Sequence, residues 1–521
     1  MRPKDNNRDE KHEYHPGANK NKDVNVVRSN GILMHLSSLP SPHGIGSMGQ
    51  SARDFADFLE AAGQSHWQIL PICPTGYGDS PYQSFSTNAG NPYFIDLDEL
   101  KEEGLLEASD YEYIDWESDP DDVNYGVLYE KRYPVLKKAV KKYLENPAKD
   151  YPKFCEKNAF WLDDYALFMT LKYVNGGKCW QEWESGHKNR DGEALNLAVK
   201  EHKEEILFWK TIQYLFFHQW NKLRNYVNNK GISIIGDLPI YVSLDGVDAW
   251  AHPELFQFDE ELCPKEVAGV PPDGFSADGQ LWGNPLYDWE YQAKEGYSWW
   301  IQRIQYLCSV YDMLRIDHFR GFDSYFAIPY GDINAKRGVW KKGPGMDLFR
   351  AVENAIGKQP IIAEDLGYLT DSVKQLLCES GFPGMKILEF AFDKRDANSV
   401  EYLPYKYIPH CIAYTGTHDN DTCLGWMKSA NPEDIETAVE YMGLTEEEGY
   451  HWGMMRALWS TMADLTMVQM QDVLGLGSET RMNAPSTVGK NWRWRAIPGS
   501  YGNDLAVKLR HKMELYGRLS G

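Results

Sequence analysis

Three acidic residues stand where apolar stretches of this chain break into polar ones, and the first is the best defined. Met313-Leu314-Arg315-Ile316 is an apolar run with one arginine, followed by Asp317-His318-Phe319-Arg320-Gly321-Phe322, as a buried strand reads when it surfaces into a loop. Arg315 lies two residues before Asp317 and so on the same face of the strand. A guanidinium that close favours an ionised carboxylate, the form a nucleophile requires. A structural ion pair is the plainer reading of this stretch alone. The pattern recurs, however: Glu364 follows Ile361-Ile362-Ala363, and Asp419 follows Cys411-Ile412-Ala413-Tyr414-Thr415 through Gly416-Thr417-His418. One carboxylate held ionised and another kept protonated by an apolar setting is the pair that cleavage of a glycosidic bond needs. Arg315 marks Asp317 as the ionised member, the apolar run before Glu364 marks it as the acid, and Asp419 beside His418 suits sugar hydroxyls or positive charge on the ring. A metal site would also use Asp317, His318, His418 and Asp419, but no ligand spacing supports it and Arg315 disfavours a cation there. No metal is expected.

For these acids to meet, strands must share one sheet and end on one side. Eight strand candidates are legible: 31–36, 67–72, 232–240, 313–316, 360–364, 385–390, 411–415 and 466–470. Most are separated by helical patterns, for example 51–62, where Phe55, Phe58 and Leu59 share a face, and 299–311. Polar residues gather at the carboxyl ends of the strands, Asp237 among them. Eight alternating units with chemistry at those ends predict an α/β chain forming a (β/α)8 barrel. The rival is a doubly wound open sheet, but no Gly-x-Gly-x-x-Gly or phosphate loop follows a strand.

The expected organisation is a polar tail over 1–28, then one catalytic barrel over 29–521. Insertions at about 73–229, 241–298 and 426–464 are expected to be largely helical. The loop from Thr75 to Phe85 interleaves aromatics and hydroxyls, suited to stacking on and hydrogen-bonding a polyol. Ala268 to Asn284 is rich in Pro, Gly and Asp, which argues against regular structure there and for a lid or binding loop.

Bulk properties narrow the class. The chain has 521 residues, 42% hydrophobic and 25% charged, values ordinary for a globular protein. A net charge of −22 argues against a nucleic-acid partner, since a polyanion would be repelled. Most of the eighteen Trp and 32 Tyr are expected in the core, and a surplus also suits stacking on sugar rings. Eight scattered cysteines without a Cys-x-x-Cys pair read as reduced thiols of a cytoplasmic protein. No apolar run is long enough for a bilayer, and the first residues carry no secretory pattern.

Several blocks resemble one family. Arg315-Ile316-Asp317-His318-Phe319-Arg320-Gly321-Phe322, Ala363-Glu364-Asp365-Leu366-Gly367 and Thr415-Gly416-Thr417-His418-Asp419-Asn420-Asp421-Thr422 are similar to conserved segments of the 4-α-glucanotransferases, also called amylomaltases or disproportionating enzymes (glycoside hydrolase family 77). So are Ser37 to Pro42, Gly236 to Tyr241, Arg481-Met482-Asn483 and Asn491 to Arg495, in the right order over about Ser29 to Arg495. The resemblance implies a barrel with subdomains inserted among its strands and no C-terminal β-domain. It implies transfer of an α-1,4-glucan segment to the 4-hydroxyl of an acceptor sugar, with no cofactor. Asp317 would be the nucleophile, Glu364 the acid/base and Asp419 the transition-state stabiliser. Ser80, Tyr82, Asp237, Gln280, Arg315, His418 and Asn483 would contact substrate. Tyr77 would mark a secondary glucan site, and Phe275 and Trp282 the loop over the acceptor region. One position departs: many members carry a tyrosine where this chain has Gly274. Two rivals remain at this stage, a glucan hydrolase with poor acceptor binding and a non-catalytic glucan-binding barrel.

Overall fold

The structure is a computed structural model, which describes residues 28–519 apart from 77, 118, 273–275 and 368. All but the last residue of the expected tail lies outside that range. Eight parallel strands form the centre: β1 (Ser29–Leu33), β2 (His66–Gln68), β3 (Ser233–Leu238), β4 (Met313–Ile316), β5 (Ile361–Ala363), β6 (Gly384–Ile387), β7 (Cys411–Tyr414) and β8 (Leu465–Gln469). Their hydrogen-bonded order is β6-β7-β8-β1-β2-β3-β4-β5, which is chain order read around a ring. The ring all but closes at the seam, where the Ala363 N–H donates to the Pro383 carbonyl at 3.0 Å and the Asp365 carboxylate accepts the Met385 N–H at 2.6 Å. The strands read as near-continuous apolar runs because they are covered on both faces; every residue of β7 and β8 is buried. This is the (β/α)8 barrel expected from the alternation.

Each expected strand overlaps one of these eight, with ends that differ by up to a few residues. The run 67–72 leaves the ladder after the Ile69 N–H bonds the Ile235 carbonyl, as the Leu70 N–H turns to His35 Nδ1 at 3.2 Å, and 232–240 stops at Leu238, before Pro239, which has no N–H to give. The run 385–390 leaves the sheet after Ile387 and turns into a 3-10 segment at Leu388–Phe392.

Between β2 and β3 the chain runs through helices at Tyr125–Tyr143, Tyr151–Val174 and Lys203–Asn229. The last of these fixes the segment after β2. Gln213 accepts the Gly90 N–H at 2.7 Å and donates to the Gly90 carbonyl at 2.9 Å. Gln219 does the same for Asp96, at 2.7 and 3.1 Å. Two buried amides thus replace a ladder the loop does not have. Helix Ser298–Val310 leads back into β4.

One expectation is corrected in part. The two ends of 268–284 are not irregular: Glu266–Val270 and Gln280–Pro285 are the arms of an antiparallel hairpin. With Ser324–Pro329 and Val339–Lys342 they form a second, four-stranded sheet. The glycines counted as breakers permit the pairing. A Cβ on Gly269 would stand 2.2 Å from the Gln280 carbonyl oxygen, and Gly279 has φ +67°, left-handed backbone that suits glycine.

Candidate active site

The carboxyl ends of the strands open into a cleft of about 1130 Å³. Its floor is set by register. Asp237 on β3 and Arg315 on β4 are direct cross-strand partners, so their side chains share a face. Both are nearly inaccessible, and Arg315 Nη1 lies 2.5 Å from Asp237 Oδ2. The same nitrogen lies 3.0 Å from Asp317 Oδ1, and Nη2 lies 4.0 Å from Glu364 Oε2. One guanidinium therefore touches three carboxylates carried by three consecutive strands.

Glu364 is placed by the turn that leaves β4. His318 has φ +52°, rare for a residue with a side chain. This turn aims its N–H at Glu364 Oε2, 2.5 Å away. The Leu366 N–H reaches Oε1 at 3.3 Å, while the Glu364 N–H donates to the Ile316 carbonyl and its own carbonyl accepts from the Phe319 N–H, at 3.0 and 3.1 Å. Asp419 comes from the loop after β7. There Asn420 Oδ1 accepts both the N–H and the hydroxyl of Thr417, each at 2.9 Å. Asn483 Nδ2 donates to Asp419 Oδ1 at 2.6 Å, the Asn483 N–H donates to the His418 carbonyl at 3.0 Å, and Arg481 donates to the Asp419 carbonyl.

Aromatic rings line the walls. Tyr82 donates its hydroxyl to Asp237 Oδ2 at 2.8 Å and stacks on His418, with centroids 5.1 Å apart and planes 12° from parallel. Trp492 packs against both rings, at 5.8 and 5.9 Å. Ser80 shapes that turn, its hydroxyl accepting the Tyr82 N–H at 3.2 Å. On the opposite side Trp282 sets its edge against His318 at 4.9 Å and donates to Gln280 Oε1 at 3.0 Å.

Four carboxylates around one cation cannot all ionise cheaply. Burial pushes the Asp317 carboxyl well above the usual range. Arg315 opposes this, and Asp237, Glu364 and Asp419 add to it. Burial likewise raises Glu364, while Arg315 and the two backbone N–H groups pull it down. Arg315 thus pulls Asp317 toward the ionised form, as its place two residues away on the strand suggests, while burial acts against it. The raised Glu364 agrees with its expected apolar setting. Burial lowers His418 despite Asp419 beside it, and takes His318 down to about 3, so both imidazoles are neutral near pH 7.

Asp317, Glu364, Asp419, Arg315, His418, Ser80, Tyr82, Gln280, Trp282 and Asn483 all line this cleft. Asp237 lies beneath it, reached through Arg315 and Tyr82. Tyr77, Phe275 and Gly274 fall outside the described residues. Arg481, Trp492 and Trp340 also line the cleft and were given no role from the sequence. Trp492 has φ +67°, a strain for a bulky residue that its presence in Asn491-Trp492-Arg493 does not announce.

The sequence profile of the 4-alpha-glucanotransferase family matches residues 34–498. The chain belongs to that family. It is 49% identical over 487 residues to a 4-alpha-glucanotransferase of Clostridium butyricum, covering 93% of this chain and 100% of the relative. It is 44% identical to that of Thermus thermophilus, covering 95% and 100%. Among solved structures, the amylomaltase from Streptococcus agalactiae in complex with acarbose superposes with a TM-score of 0.92 at 43% identity, covering 95% of this chain and 100% of that one. The enzyme is a glycosyl-transferring one, a 4-α-glucanotransferase in its chemistry.

Proposed function

We propose that Asp317, Glu364 and Asp419 divide a retaining double displacement between them. Asp317 attacks the anomeric carbon of an α-1,4-glucan while Glu364 gives its proton to the departing oxygen, leaving a glycosyl ester on Asp317. Glu364, now ionised, takes the proton from the 4-hydroxyl of an acceptor sugar, which displaces Asp317 and restores both groups. Asp419, oriented by Asn483, stabilises positive charge on the ring between the two steps.

The contact set of Arg315 carries this assignment. It sits 3.0 Å from Asp317 and 4.0 Å from Glu364, so its charge favours ionisation of the nearer carboxylate over the farther one. Glu364 spends one lone pair of each oxygen on a backbone N–H, which fixes the carboxyl plane and leaves its outer edge for the glycosidic oxygen. Asp237, Arg315, Tyr82, His418, Ser80, Gln280 and Asn483 hold the sugars around the scissile bond. The hairpin of the second sheet borders the cleft and keeps water from the ester while an acceptor is placed.

Substrates are α-1,4-glucans and maltooligosaccharides, a reading supported by the acarbose held by the similar amylomaltase. The charge of −22 speaks against nucleic acid as a partner. All eight cysteines are unpaired, which fits a cytoplasmic enzyme. Among the described residues no helix is long and apolar enough to cross a membrane. Incubation with maltotriose tests the activity: glucose plus a ladder of longer chains is expected, whereas glucose and maltose alone would mean hydrolysis.

A further inference from the structure

Trp340 has no part in the displacement, yet it is a large ring left open at the cleft. It lies on Val339–Lys342, the outer strand of the second sheet, is 41% exposed, and lines the cleft wall. Its register partner Phe326, edge-on at 5.1 Å and 62°, is only 4% exposed. The Arg320 guanidinium lies 3.9 Å from the centre of the Trp340 ring. Two contacts thus fix a ring whose remaining surface faces the cleft, so little rotamer freedom is lost when a ligand lands on it.

The position of the ring relative to the acid/base gives its role. Glu364 works at the oxygen that leaves and the oxygen that attacks, so acceptor sugars lie on its far side from Asp419 and Asn483. The N–H groups that hold Glu364 belong to His318 and Leu366. Arg320, two residues after His318, and Gly367, next to Leu366, line the same cleft as Trp340, and Arg320 sets its guanidinium over the Trp340 ring. Resting on the assignment of Glu364 above, we infer that Trp340 is the stacking platform for acceptor sugars beyond the first, and so sets the preference for oligosaccharide over glucose as acceptor. An apolar sugar face on an indole, with a cation behind the ring, is the chemistry such a site offers.

A ring that only roofs the small core of Val267, Phe326, Ile328 and Ala335 would affect stability and treat all acceptors alike. The test therefore reads acceptor length. A maltooligosaccharide donor blocked at its non-reducing 4-hydroxyl is paired with glucose or with maltotriose as acceptor. In W340L the ratio of the maltotriose KM to the glucose KM is expected to rise about tenfold, and W340F is expected to recover most of the wild-type ratio. W340Q, a residue suited to an exposed edge strand, is the second variant and carries the same expectation as W340L. An unchanged ratio in the folded variants, or no recovery in W340F, overturns the platform. Cleavage of the same donor by D317A would instead overturn the assignment of the nucleophile, so the two failures are told apart.

Discussion

Arg315 governs the charge on this site, because the other groups it touches are all acids. Replacing it with methionine removes the cation that draws both Asp317 and Glu364 downward. Their carboxyls must then move further up, and the ionised nucleophile forms only at higher pH. The acid limb of kcat/KM, which reports the free enzyme, is expected to shift to higher pH in R315M, with kcat reduced. An unmoved limb, or one shifted downward, would contradict the arrangement. D317A should lose at least about 10⁴-fold in kcat, and E364Q about 10²- to 10⁴-fold, both measured by glucose release from maltotriose. At this scale the sequence was informative where polarity changes abruptly at a strand exit, as at Asp317, Glu364 and Asp419. It could not show how strongly Arg315 would be opposed at Asp317, since that depends on burial and on three acids brought in from other strands. Trp492 and Trp340 were two tryptophans among eighteen, without a local mark of where their rings would point.

Among the elements, the hairpin bordering the cleft is the one the proposed transfer asks most of. Val270 and Gln280 are register partners, so the segment 271–279 can be replaced by an Asn-Gly turn without moving the arms. That variant is expected to fold and to cleave maltotriose, with more of the product as glucose and maltose and less as longer chains. An unchanged product ladder would show that the tip does not shield the ester. The barrel strands were legible because parallel strands covered on both faces are continuous apolar runs. The second sheet was not. Its four strands come from 266 to 342, and its hairpin is dense in glycines that normally punctuate loops. Only the pairing partner reveals that Gly269 stands where a side chain would collide with Gln280.

At the scale of the whole molecule, Arg518 ties several segments together at the end of the barrel away from the cleft. Arg518 is fully buried. It donates to the carbonyls of Trp459, Ser29, Ala463 and Thr461 at 2.8 to 3.1 Å, while its own carbonyl accepts from Asn30 at 2.6 Å. Arg518→Ala leaves four carbonyls without that donor and is expected to cost about 3 to 5 kcal/mol, read as a lower denaturant midpoint with the activity of the folded fraction unchanged. Loss of activity in proportion to Asp317 variants would contradict this division between frame and site. The sequence indicated eight units and their order, but not which distant residues clamp them, since the partners of Arg518 lie 55 to 489 positions away.

In the proposed mechanism a sugar is passed through an ester on Asp317. The direct measurement is the mass of peptides from enzyme treated with a fluorinated α-glycosyl fluoride that forms the ester quickly and releases it slowly. The added sugar is predicted on the peptide containing Asp317, and none is predicted in D317A. A sugar on Glu364 or Asp419, or transfer that proceeds at full rate with no adduct on any carboxylate, would contradict the account.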